Sequence, residues 1–79
     1  MHIIYEKEAA KHIERMDRPT KQRLKKAIEK LPAGDVVKLQ GYMEDYRLRV
    51  GNLRIIFSVS DDIITIKDVL PRGQVYKRL

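Results

Sequence analysis

The stretch from residue 46 to residue 59 constrains this chain more than any other. Tyr46, Leu48 and Val50 alternate with Arg47 and Arg49, and Leu53, Ile55, Phe57 and Val59 alternate with Arg54, Ile56 and Ser58. A period of two is the mark of strands covered on one face. Between the two runs stands Gly51-Asn52, a pair suited to the two-residue turn of a β-hairpin. With that pair as the whole loop, Val50 faces Leu53, Arg49 faces Arg54, Leu48 faces Ile55 and Arg47 faces Ile56. Arg47, Arg49 and Arg54 then share one face, while Leu48, Val50, Ile55 and Phe57 lie on the other, beneath whatever covers the sheet.

The remaining segments supply that cover. His2-Ile3-Ile4-Tyr5 is short, β-branched and aromatic and reads as a first strand. Ala9, Ala10, Ile13 and Met16 then fall at helical spacing. Asp17-Arg18-Pro19-Thr20 stops that helix and starts a second, with Asp17 the better capping acceptor and Pro at a first helical position. Leu24, Ala27, Ile28 and Leu31 form the apolar stripe of a helix over residues 19–31, and Pro32-Ala33-Gly34-Asp35 ends it. Residues 36–41 read as a connector. Asp61-Asp62 makes a second tight turn before a strand over residues 63–70, which Pro71-Arg72-Gly73 breaks. The expected class is α+β in the order β-α-α-β-β-β. Two N-terminal helices pack on a small, mostly antiparallel four-stranded sheet, one domain over residues 1–79.

Charge narrows the partners. The chain has 79 residues, 17 Lys and Arg, 11 Asp and Glu, and a formal charge of +6. So large an excess in so small a body attracts polyanions. A membrane reading fades, because no apolar run approaches the roughly 20 residues that span a bilayer. Glu6, Lys7 and Glu8 stand where a signal peptide needs its apolar stretch. A cytoplasmic protein is expected. Without cysteine there is no disulfide framework and no thiolate metal site.

Like charges directly across an antiparallel pair are destabilising by up to about 1 kcal/mol. An anion held between Arg49 and Arg54 turns that repulsion into charge-assisted hydrogen bonds. Read through Asp61-Asp62, the second hairpin adds Lys67 beside Ile56 on the same face, making a phosphate site of three arginines and a lysine. The same register puts Asp68 on the helix-covered face, which requires either a place at the rim or a β-bulge. The outer face of the second helix, with Lys21, Arg23, Lys25, Lys26 and Lys30 against Glu29, is either solvated surface or a further polyanion contact. His2 and His12 read as surface or packing residues, with no ligand spacing for a metal. Tyr5 and Tyr42 read as packing residues.

These residues carry a resemblance. Val37-Lys38-Leu39-Gln40-Gly41, then Tyr46-Arg47-Leu48-Arg49-Val50-Gly51-Asn52-Leu53-Arg54, resembles the signature of the RelE/ParE toxin superfamily. So does the closing Arg72-Gly73-Gln74-Val75-Tyr76. The element order agrees, so the resemblance covers essentially the whole chain. It implies the toxin of a bacterial toxin–antitoxin pair, an endoribonuclease that enters the ribosomal A site and cuts messenger RNA there. The ribose 2′-hydroxyl attacks the adjacent phosphorus and the 5′-oxygen leaves, with no metal or other cofactor.

Carried over by position, Arg54 stabilises the phosphorane-like transition state. Arg47 and Arg49 stand where relatives often have lysine. Arg72 contacts the scissile phosphate or the leaving group, and Tyr76 orients or stacks on the nucleotide. Lys21, Lys25, Lys26, Lys38, Lys67 and Lys77 are expected to contact RNA or the ribosome. The partner is an acidic, RelB-like antitoxin. Guanidinium does not deprotonate in proteins, so the proton-transfer residue stays open between Glu44, Asp45 and Tyr76. Two alternatives share the basic character: a ParE-like gyrase poison, against which Arg72 and Tyr76 speak, and a non-catalytic nucleic-acid-binding module.

Overall fold

The computed structural model describes residues 2–31, 33–39 and 45–71. Strand β1 (His2–Tyr5) leads into helices α1 (Lys7–Glu14) and α2 (Arg18–Glu29). Strands β2 (Val36–Lys38), β3 (Asp45–Val50), β4 (Leu53–Ser60) and β5 (Ile63–Pro71) follow. They form one five-stranded sheet in the order β1-β5-β4-β3-β2. The α+β class stands, with one strand more than expected. Within the anticipated connector, residues 36–38 pair antiparallel with β3 and become the sheet edge. Three residues are too few to show a period, so this strand is created by its partner rather than by its own pattern.

The first hairpin has the register read from the sequence: Arg47 opposite Ile56, Leu48 opposite Ile55, Arg49 opposite Arg54 and Val50 opposite Leu53. Gly51 takes the left-handed conformation at φ 57° that such a turn needs. The second hairpin begins as expected at Ser60 and Ile63, then shifts between Ile56 and Phe57, so that Ile56 faces Asp68. Lys67 is thus the extra residue of a β-bulge, not the partner of Ile56. The shift lets Ile66 and Val69 both belong to the main core, while Leu70 joins Leu39 and Ile56 in a smaller cluster on the arginine side.

The main core lies between the helices and the inner sheet face. Ala9, Leu24, Ile28, Leu31, Leu48, Ile55, Phe57, Ile64, Ile66 and Val69 are buried there. Burying each large aliphatic or aromatic side chain contributes about 1.5–3 kcal/mol before the entropic cost of ordering it. Tyr46 stacks on Phe57 across the hairpin, with ring centroids 5.5 Å apart.

Helix α2 ends at Glu29, two residues before its apolar stripe does. The N–H groups of Lys30 and Leu31 bond to the carbonyls of Ala27 and Ile28, a tightened last turn that still delivers Leu31 to the core. At its other end Asp17 is the N-cap by backbone geometry. Its carboxylate accepts a 2.5 Å bond from the Thr20 hydroxyl. Among the described residues, no helix is long and apolar enough to cross a membrane.

Candidate nucleic-acid interface

Alternation along β3 and β4 puts Asp45, Arg47 and Arg49 on the face of Arg54, Ile56 and Ser58, away from the helices. The two facing arginines are not equivalent. Arg49 is 54% exposed. Arg54 is buried, and its Nη1 donates to the carbonyls of Gly51 at 3.2 Å and Leu53 at 3.0 Å. The hairpin turn therefore holds the Arg54 guanidinium at the end of the sheet.

Two carboxylates share the face: Asp35, which the sequence did not mark, and Asp45, one of the candidate proton-transfer residues. The Asp35 carboxylate lies 3.7 Å from Arg47 Nη2 and 3.9 Å from Arg49 Nε. Its carbonyl accepts the Arg49 backbone N–H at 3.0 Å. Asp45 Oδ1 accepts from Lys67 Nζ at 2.8 Å. The Arg49–Arg54 repulsion is thus relieved inside the molecule, by Asp35 and the turn carbonyls, and does not by itself call for a bound anion. Four cations against two carboxylates still leave the face positive. Only the pairing of β2 with β3 brings Asp35 there, so no signal in the local sequence marks it.

The lysines expected to contact RNA part company. Lys67 is on the arginine face through Asp45. Lys38 faces Tyr46 across β2–β3, so by alternation it belongs to the opposite side of the sheet edge. Lys21 and Lys25 line a cleft of about 490 Å³ between β1 and the two helices, among Ile3, Tyr5, Ile13, Leu24 and Ile28, with Glu14 and Glu29 beside them. Burial first, then the Glu29 carboxylate, push the Tyr5 phenol above its ordinary 10.0. Lys26 lies elsewhere, with Arg23 and Lys30, along a groove of about 300 Å³ against Arg49. Arg72, Tyr76 and Lys77, with Glu44 and Tyr42, lie outside the described residues.

Comparison with known proteins decides the family. Residues 3–76 match the family described as the ParE toxin of type II toxin–antitoxin systems, parDE. The chain belongs to this toxin family. A full-length relative is Toxin RelE3 of Methanocaldococcus jannaschii, 31% identical over 84 residues and covering 96% of each chain.

Solved relatives of the toxin agree in shape. One is the RelB–RelE antitoxin–toxin complex of Methanococcus jannaschii, with TM-score 0.80, 29% identity, and coverage of 96% of this chain and 98% of that one. Another is the archaeal RelE–RelB complex of Pyrococcus horikoshii, with TM-score 0.74, 28% identity, and coverage of 92% and 96%. The superfamily resemblance and the fold class expected for this toxin both stand.

Proposed function

We propose that this toxin is a RelE-type endoribonuclease that cuts messenger RNA in the ribosomal A site. An acidic, RelB-like antitoxin holds it in check. One observation supports the nuclease reading: the hairpin register gathers Arg47, Arg49 and Arg54 on one sheet face. Pre-placed cations around a phosphorus gaining negative charge are where electrostatic catalysis gains most. In the reaction the 2′-oxygen bonds to phosphorus as the P–O5′ bond breaks. Arg54, fixed by the turn carbonyls, is the oriented cation. Arg49 is the accessible one, and Arg47 shares the Asp35 carboxylate with it. Arg72 and Tyr76 complete the set by family position.

The antitoxin reading rests on relatives solved as RelB–RelE complexes and on the +6 charge. An acidic partner neutralises such a surface and associates quickly with it.

The deciding experiment adds purified toxin to programmed ribosomes and maps messenger ends. Arg49→Gln should lower cutting by at least tenfold, with thermal unfolding unchanged. Inhibition of gyrase supercoiling without RNA cutting would move the protein to the ParE mode of action.

A further inference from the structure

The basic residues of α2 split into two sets, and one of them faces the hairpin. Arg23, Lys26 and Lys30 follow the spacing i, i+3, i+7, which aligns them along one side of the helix over about 10 Å. With Arg49 of β3 and Asp35 they line the groove of about 300 Å³, whose floor is Ala27, Leu48 and Val50. Arg23 reaches the hairpin end: a Cβ on Gly51 would stand 3.6 Å from its Nη1. Arg49 belongs both to this groove and to the arginine face, so the two basic surfaces are continuous around β3.

We propose that this groove is a second phosphate track, which holds the backbone of a single RNA strand leading to or from the arginine face. The inference rests on the RNA reading above and adds where the strand runs. Its accessible chemistry is charge. Arg23, Lys26, Lys30 and Arg49 are exposed, whereas Leu48 is only 2% exposed and Ala27 and Val50 are half-buried. An acidic amphipathic helix needs an open apolar floor, and this groove offers little. A sugar-phosphate strand needs spaced cations, which it has.

Asp35 sits where groove and face meet. Its contacts of 3.7 and 3.9 Å are long for an ion pair, and its side chain is 54% exposed. It is a resident counter-anion, held loosely enough for a phosphate to displace it. The groove therefore admits ligands with several adjacent phosphates more readily than single anions, because displacement costs the two long contacts of one carboxylate and several phosphates repay them.

The test is the salt dependence of binding to a short single-stranded RNA oligonucleotide, read by fluorescence anisotropy. Each phosphate contact contributes about 0.7 to the slope of log affinity against log salt for single strands. The triple variant Arg23→Gln, Lys26→Gln, Lys30→Gln should lower the slope by about 2 and weaken binding at least tenfold at low salt. Asp35→Asn should tighten it about threefold or more. Lys11→Gln, on α1, should change neither. Glutamine is a good helix former, so a thermal melt will confirm that the triple variant folds.

An unchanged slope in the triple variant, with a steep one in the unsubstituted toxin, overturns the groove and leaves the nuclease reading standing. Loss of antitoxin binding with an unchanged RNA slope assigns the groove to the antitoxin and equally overturns it. If the unsubstituted toxin neither binds RNA nor cuts messenger, the nuclease reading fails as well.

Discussion

His12 and Asp68, fifty-six residues apart, are joined by a 2.6 Å hydrogen bond from ring Nδ1 to carboxylate that ties α1 to β5. Asp68 is 1% exposed, and the same Oδ1 accepts the Val69 backbone N–H at 2.8 Å. A buried carboxylate stripped of one hydrogen-bond partner costs about 1–3 kcal/mol. His12→Leu should therefore lower the unfolding free energy by that much, read from urea denaturation. The double variant His12→Leu, Asp68→Leu should lose less than the two single losses added together, since the pair is removed as a unit. Strict additivity would show that the bond contributes nothing specific.

Arg54 and Arg49 should separate stability from activity. Arg54→Ala removes a buried guanidinium bonded to two turn carbonyls. It should cost about 1–3 kcal/mol as well as cutting. Its loss of activity alone is therefore ambiguous. Arg49→Ala removes an exposed cation and should leave stability within about 0.5 kcal/mol. Equal unfolding midpoints for the two variants would show that the turn contacts of Arg54 are idle.

Gly34 is where backbone geometry positions the counter-anion. Its φ of 123° lies where side chains are rarely tolerated, and a Cβ there would meet Leu48 Cδ1 at 3.0 Å. Gly34→Ala should cost about 1–3 kcal/mol, from strain and from the displaced Leu48. Because Asp35 follows directly, the substitution should also shift the Arg47 and Arg49 side-chain resonances in an NMR spectrum. A melting temperature unchanged from the parent would sink this reading.

The start of α2 gives a pH dependence. The Thr20 hydroxyl bond is the largest influence lowering the Asp17 carboxyl below its ordinary 3.8. A carboxyl lowered in the folded state adds stability above its unfolded value and loses it as pH falls through the folded one. Thr20→Val should thus destabilise the protein near neutrality. The gap between variant and parent should close once Asp17 is protonated below pH 3.8. Chemical denaturation at neutral pH and at the acid end measures it; a gap independent of pH counts against the bond.

How much was legible follows from the range of each interaction. The first hairpin could be read to the residue, because Gly51-Asn52 and strict alternation are local signals. The helices could be read from their stripes. β2 could not, since Val36–Lys38 is a strand only because β3 accepts it. The bulge was foreshadowed by the misplaced Asp68. Asp68 instead bonds to His12, fifty-six residues away, which makes His12 a packing residue whose partner no local pattern records. Asp35 was invisible as a member of the basic face for the same cause, and Asp45, a candidate base by its place before β3, could not be foreseen as the partner of Lys67. The split of the α2 lysines depended on where the helix sits against the sheet, which no pattern within the helix records.

The parallel pairing of β1 with β5 has a consequence in time. His2, Ile3, Ile4 and Tyr5 find their sheet partners only at residues 63–66, and His12 finds Asp68 only beyond them. During synthesis the first strand and helix must wait, without docking, until those residues have been made. The arginine hairpin, whose partners are neighbours in sequence, can form earlier. Completion of this toxin is thereby coupled to the emergence of β5 from the machinery that makes it.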